Sequence, residues 1–198
     1  MRPIAAIVLL AGLTALLFCI ARFWAERYDE RVTLRDPIFW IIAGFACILA
    51  DANAVQPVRA TIVLATCAVC AATDRQTGYI FDVVVGSAAA ILATYAVVTS
   101  SVADAAAGCA LCGGALSLPY CATRGRGIGM GDVKLAALIG AGFGVRGGPV
   151  AIGAAFVMGA VVALAGLSCG RLKRGDVLRF APYLAAGSIA SLAFYGGL

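Results

Sequence analysis

Two aspartates in this chain of 198 residues have the setting of catalytic acids. Asp132 lies in the glycine-rich run Gly129-Met130-Gly131-Asp132-Val133-Lys134, at the start of a long apolar segment. Asp74 lies at the end of another apolar segment and is followed by Arg75. A charged side chain at membrane depth costs roughly 3 kcal/mol or more, so an acid in such a segment indicates a functional site.

Two carboxyl groups that share a proton can hydrolyse a peptide bond. The ionised group takes a proton from water, and the protonated group polarises the carbonyl. Like charges a few ångströms apart cannot both form cheaply, so the two pKa values separate. We expect Asp132 to be the ionised partner, because it begins a helix and the helix dipole favours a negative charge there. Asp74 ends a helix and is expected to be protonated.

The neighbours of Asp132 also suit this chemistry. Gly129 and Gly131 would let an extended substrate backbone approach the acid, since they have no side chains. Lys134 could hold Asp132 or the substrate, or extend to the lipid headgroups.

The composition is that of a polytopic membrane protein. Hydrophobic residues make up 63% of the chain and charged residues 13%, whereas about a quarter of a soluble domain is charged. The net charge of +5 does not indicate nucleic-acid binding, because the basic residues fall in short loops and form no stripe. Histidine is absent, which excludes His-based catalysis and His-ligated metals.

The eight cysteines include two C-x-x-C pairs, Cys67/Cys70 and Cys109/Cys112, whose spacing is also that of zinc sites. Both pairs lie inside apolar runs, where residues i and i+3 share a helix face and cysteine acts as a small hydrophobic residue. We therefore predict that they are structural and that the protein binds no metal or cofactor. Zinc or redox chemistry is the alternative.

Apolar runs of about 20 residues predict an all-α polytopic membrane fold with about eight transmembrane helices. The boundary between the second and third helices is weak, and without it the number would be seven. The predicted spans are 4–23, 37–55, 56–73, 79–102, 105–122, 131–145, 147–169 and 178–197.

The basic residues predict the orientation of these helices. All but three of the 15 Lys and Arg residues fall in the loops after the first, third, fifth and seventh spans; the exceptions are Arg2, Arg59 and Arg146. By the positive-inside rule these loops are cytoplasmic, and both termini lie outside. Asp74 and Asp132 then fall on the same, cytoplasmic, side of the membrane, where they could meet.

The motif around Asp132 resembles that of a known family. The run GMGDVKLAALIGAGFG, residues 129–144, resembles the second-aspartate region of type IV prepilin peptidases, which are intramembrane aspartyl proteases with a G-x-G-D motif. Their first aspartate is followed, eight residues on, by Asn or Asp in an Ile-Pro-Asn/Asp-like segment. Here Asp74 is followed by Ile80-Phe81-Asp82, with Phe81 in place of the proline. Residues 179–184 resemble the family's Pro-Phe-x-Pro-like start of its last helix.

The resemblance implies an aspartic endopeptidase in which Asp74 and Asp132 are catalytic and Gly129, Gly131 and Lys134 support the substrate cleft. Its substrates would be prepilin-like or pseudopilin-like proteins, cleaved after a short basic leader at the cytoplasmic face. The resemblance further implies no cofactor, a location in the inner membrane of a bacterium, and a role in type IV pilus assembly or protein secretion.

The resemblance covers residues 59–198, which are expected to form a six-helix aspartyl peptidase core. Residues 1–58 would add two N-terminal transmembrane helices joined by a short charged loop. Bifunctional members of the family also methylate the new N-terminus and carry a cytoplasmic loop with two C-x-x-C pairs. The matching loop here, residues 25–36, is short and has no cysteine, so a form with peptidase activity alone is expected.

Two other functions are compatible with a membrane protein that carries two acids. In a cation- or proton-coupled transporter or channel, Asp74 and Asp132 would bind cations or relay protons. That function predicts polar groups at several depths, whereas the outward halves of the predicted helices are apolar. A non-catalytic scaffold would not need the two acids.

Overall fold

The computed structural model describes residues 2–27, 57–173 and 178–195, and within these ranges the chain is all-helical, as predicted. The predicted second span and most of the charged loop before it lie outside the described residues. The six helices are α1 (Arg2–Arg27), α2 (Pro57–Thr77), α3 (Asp82–Val98), α4 (Val102–Thr123), α5 (Met130–Ser168) and α6 (Ala181–Tyr195).

The central helix of the fold is α2. Every residue from Arg59 to Asp74 is buried, and α2 contacts α1, α3, α5 and α6. A helix with apolar residues on every face is buried by neighbours on all sides, and α2 is such a helix. Its own Leu64 is fully buried together with Leu17 of α1, Leu135 of α5 and Leu184 of α6. This enclosure fixes the position of Asp74.

The long helix α5 turns back on itself at Gly144. This glycine has φ 68° and ψ −169°, a left-handed conformation that favours glycine. A Cβ atom built on Gly148 would lie 3.0 Å from the Cα atom of Gly140, although residues eight apart in a straight helix are separated by about 12 Å. Thus α5 has two antiparallel arms, and their junction coincides with the predicted boundary between the sixth and seventh spans.

A polar cluster lies at the end of α2 away from Asp74. Arg59 pairs with Asp104 at 3.6 Å and donates to the hydroxyl of Ser101. Asp104 also accepts a hydrogen bond from the backbone N–H of Val145, at 3.2 Å, beside the turn in α5. This cluster is an exception to the apolar character expected for that half of the helices, and it ties α2 and α4 to the α5 turn.

Two of the described helices, α4 and α5, are long and apolar enough to cross a membrane, and α3 and α6 are shorter apolar helices. The predicted total of eight spans is not confirmed. The predicted span 79–102 is also too long, because α3 covers only Asp82–Val98. The apolar residues before it, Ile80 and Phe81, belong to the loop that follows α2.

Candidate active site

The structure brings together the two acids that the sequence singled out. Asp74 lies in the last turn of α2 and is 7% exposed. Asp132 is the third residue of α5 and is half-buried. The two carboxylates are near enough to repel each other, and both also lie near the buried thiol of Cys70, one turn before Asp74.

The loop after Asp74 crosses to the start of α5. Gly78 ends α2 with φ 78°, and its N–H donates to the carbonyl of Asp74 at 2.8 Å. Two residues later, Ile80 lies against the main chain of Gly131. Phe81 has φ −75° and ψ 119°, and proline would take the same φ. The loop is therefore extended at Phe81 even though this residue replaces the proline of the Ile-Pro-Asn/Asp pattern.

Each acid also lies beside a main-chain N–H at the start of a helix. The Gly129 N–H donates to Asp132 Oδ2 at 3.2 Å. The N–H of Ala181, the first residue of α6, lies near the Asp74 carboxylate, as does the positive charge of Arg179. The positive end of a helix dipole therefore faces both acids. The helix-dipole argument that favours an ionised Asp132 thus applies to Asp74 as well, and the assignment of Asp132 as the ionised partner stays a prediction.

One oxygen of each acid is left without a partner. Asp74 Oδ2 and Asp132 Oδ1 are buried and accept no hydrogen bond from any described residue. Most buried polar atoms in proteins are paired, and an exception calls for an explanation such as a catalytic role. A buried carboxyl oxygen of this kind can accept a hydrogen bond from a water molecule or, when protonated, donate one to a carbonyl group.

Comparison with known proteins identifies the family. A model of the type IV leader peptidase family matches residues 61–164, more than half of the chain and a stretch that includes Asp74 and Asp132. This chain belongs to the type IV leader peptidase family. No solved structure matches it.

The chain is also similar to two curated members of this leader peptidase family. They are the prepilin leader peptidase/N-methyltransferases of Burkholderia pseudomallei strains 1026b and K96243. The identity to each is 44% over 68 residues, which is 34% of this chain. The matched segment spans only 22% of the length of each relative.

Arg179 is a residue of the candidate site that the sequence did not single out. Its Nη1 donates to the main-chain carbonyl of Asp74 at 2.7 Å and also to that of Arg75. Both carbonyls belong to the last turn of α2: that of Asp74 also accepts from the Gly78 N–H, whereas that of Arg75 lies where the helix itself provides no partner. The only signal in the sequence was the resemblance of residues 179–184 to a family segment, and it gave Arg179 no role.

Lys134 has a different partner from those considered for it. Its Nζ donates to both carboxylate oxygens of Asp82, each at 2.7 Å. Asp82 is the first residue of α3, so this exposed ion pair joins the starts of α3 and α5. Lys134 neutralises Asp82, whereas the Asp132 carboxylate is bound by the main chain of Gly129.

The two C-x-x-C pairs are separated in the fold. Cys67 and Cys70 are buried in α2, whereas Cys109 and Cys112 lie in α4, and all four are free thiols. Among the residues that the structure describes, no group of three or more Cys, Asp or Glu side chains is placed to hold a metal ion. The four thiols therefore do not form the single zinc site that their spacing alone would allow.

Proposed function

We propose that this chain is an intramembrane aspartyl endopeptidase that removes the short basic leader of prepilin-like proteins at the cytoplasmic face of a bacterial inner membrane. The observation that carries the proposal is that Asp74 and Asp132, which are near enough to repel each other, each have one buried carboxyl oxygen without a partner. Membership of the leader peptidase family supports the same function and favours it over a transporter.

The chemistry needs one proton on the pair of acids. The ionised carboxylate takes a proton from a water molecule, whose oxygen attacks the carbonyl carbon of the scissile bond, while the protonated acid gives its proton to the carbonyl oxygen. When the tetrahedral intermediate collapses, one of its hydroxyl groups returns its proton to the ionised carboxylate as a C=O bond forms, the C–N bond breaks, and the leaving nitrogen takes the proton of the other acid. One proton therefore remains on the pair, ready for the next cycle.

The main-chain contacts orient the acids for these steps. The Gly129 N–H binds Asp132 Oδ2, and the Ala181 N–H lies near the Asp74 carboxyl group; Asp74 Oδ2 and Asp132 Oδ1 remain for water and substrate. Burial excludes bulk water, so charge that develops in the transition state is little screened.

The two relatives carry a second activity in their name, N-methyltransferase. We propose that this chain cleaves without methylating, because the loop at 25–36 is short and contains no cysteine. Mass spectrometry of a product made with this chain alone is expected to find an unmodified N-terminus. A product heavier by one methyl group, and dependent on S-adenosylmethionine, would contradict this part of the proposal.

The function is tested by the substitutions Asp74→Asn and Asp132→Asn. Each variant is co-expressed with a prepilin-like substrate, and leader removal is followed by gel shift and by mass spectrometry of the new N-terminus. Each is expected to lower the cleavage rate at least a hundredfold, roughly the value of a lost general acid or base. The exposed control Glu26→Gln in α1 is expected to cleave normally. Cleavage near the wild-type rate by either aspartate variant would refute the proposed pair.

A further inference from the structure

An apolar groove runs along α3 from a point close to the candidate site. It has a volume of about 590 Å³ and is bounded by α3, α4 and the first arm of α5. Asp82 and Lys134 lie at one end, and Val97 and Val102 at the other. Because Lys134 follows Asp132 by two residues, a rise of about 3 Å, this end of the groove lies at the level of Asp132 along α5.

The groove has the length of a membrane-embedded helix. From Asp82 to Val97, α3 rises about 22 Å at 1.5 Å per residue. A guest helix of about 15 residues would fit alongside it, which is most of the thickness of the hydrocarbon core, about 30 Å.

The walls of the groove are made mainly of small residues. In membranes, small side chains let two helix backbones approach closely. A Cβ atom built on Gly86 would meet nothing within 4 Å, so the space beside it is open. Other small residues that line the groove are Ala89, Ala93, Ala105, Ala106 and Ala137.

Charged groups mark only one end of this apolar groove, the end beside the acids. The Asp82–Lys134 pair is exposed, and exposed ion pairs contribute about 0–1 kcal/mol, so it can separate at little cost. The Asp82 carboxylate is complementary to a basic leader, and Lys134 can then bind an oxygen of the substrate main chain.

We propose that this groove holds the apolar helix of the substrate, with the leader lying across Asp82 and the scissile bond between Asp74 and Asp132. The inference rests on the proposed peptidase function and adds where the substrate binds. A helix that begins at the mouth of the groove places the bond that precedes it beside the acids. The groove thus determines which bond is cut, because it fixes the position of the substrate helix and therefore of the bond that precedes it.

The test compares two adjacent alanines of α3. Ala89 lines the groove and Ala90 does not, and both are exposed; successive helix residues point about 100° apart. Ala89→Phe is expected to lower kcat/KM for a full-length substrate about tenfold or more, through a higher KM. Ala90→Phe is expected to cleave as wild type. A short peptide that contains the leader and cleavage site but no apolar helix is expected to be cleaved equally by both variants, which also shows that Ala89→Phe is folded.

A cross-linking measurement identifies the occupant directly. A photoreactive phenylalanine derivative replaces Ala89 or Ala90 in an Asp132→Asn background, where bound substrate is not consumed. Cross-links to the substrate's apolar helix are expected from position 89 and not from position 90. Equal cleavage of the full-length substrate by Ala89→Phe and Ala90→Phe would overturn the inference, and so would cross-links from position 89 to phospholipid alone. In either case, cleavage by the wild-type protein would still support the peptidase function. A wild-type protein that shortens no substrate would instead refute the proposed function itself.

Discussion

Ile80 lies so close to Gly131 that a Cβ atom built on this glycine would be 2.8 Å from the Cβ atom of Ile80. The contact joins the loop after Asp74 to the first turn of the helix that carries Asp132. From the sequence, Gly131 was expected to make room for the substrate backbone. In the structure the room beside Gly131 is taken by Ile80, so this glycine sets the spacing of the two acids.

Gly131→Ala is therefore expected to lower leader cleavage about tenfold or more, because the added methyl group pushes the Asp74 loop away from α5. The rate is measured on membranes with equal amounts of each variant. Gly153→Ala, in the second arm of α5, is the matched control, since its Cβ would meet nothing within 4 Å. Adding Ile80→Ala to Gly131→Ala is expected to restore part of the rate, as expected for residues in contact. A Gly131→Ala variant as active as wild type would contradict this role.

Arg179→Gln is expected to weaken both stability and cleavage. The substitution removes the charged donor from the last carbonyls of α2 and the positive charge beside Asp74. A hydrogen bond of this type contributes about 1.5–3 kcal/mol, and the expected loss is near the lower value because Arg179 is partly exposed. Thermal unfolding in detergent and the cleavage rate measure the two effects.

The exposed Arg171→Gln, in the segment between α5 and α6, is the control for Arg179. It is expected to leave the melting temperature and the rate unchanged. Equal melting temperatures and cleavage rates for the Arg171 and Arg179 variants would contradict the proposed role of Arg179 in binding the last carbonyls of α2.

Gly140→Val is expected to prevent α4 and α5 from packing. A Cβ atom on Gly140 would collide with the carbonyl oxygen of Gly108, and one on Gly108 with that of Gly140. Overpacking costs about 1–3 kcal/mol where side chains can move, and here the obstacle is backbone. The amount of protein in the membrane and its resistance to heat are expected to fall. Gly114→Val, in open space on α4, is expected to accumulate normally.

The charge distribution predicts that the end of the helices with Asp74 and Asp132 faces the cytoplasm. In a cysteine-free background, Arg126→Cys in the loop before α5 is expected to react with a membrane-impermeant thiol reagent only after the membrane is opened. Ala103→Cys, near the start of α4 and exposed, is expected to react in intact cells. The reverse pattern would place the candidate site on the outer face.

Local patterns in the sequence predicted much of this fold. They did not predict the contacts that residues of the candidate site make with one another. The run from Gly129 to Gly144 indicated both the acid at a helix start and the later helix break, because glycines are needed where the backbone turns or approaches closely. The apolar Ile80 and Phe81 were assigned to a span, since hydropathy does not distinguish contact with lipid from contact with protein.

Partnerships between distant segments could not be predicted in the same way. Lys134 and Asp82 are separated by 52 positions, and Arg179 and Asp74 by 105. Which helix ends meet depends on packing of the whole bundle, which no local pattern contains. The helix-dipole argument for Asp132 shows the same limit: it considered only the helix to which each acid belongs and omitted α6, whose N-terminus lies near Asp74.

The dependence of Asp74 on α6 also has a consequence for the timing of activity during synthesis. The groups that complete its surroundings, the Ala181 N–H and the Arg179 side chain, are translated more than 100 residues after Asp74 itself. At about 5–20 residues per second, the ribosome takes roughly 5–20 s to cover that distance. In the later part of this interval, after Asp132 and before Arg179, a nascent chain carries both acids without the contacts that orient Asp74. A half-made protease is therefore expected to be inert, and the docking of α6 to switch it on.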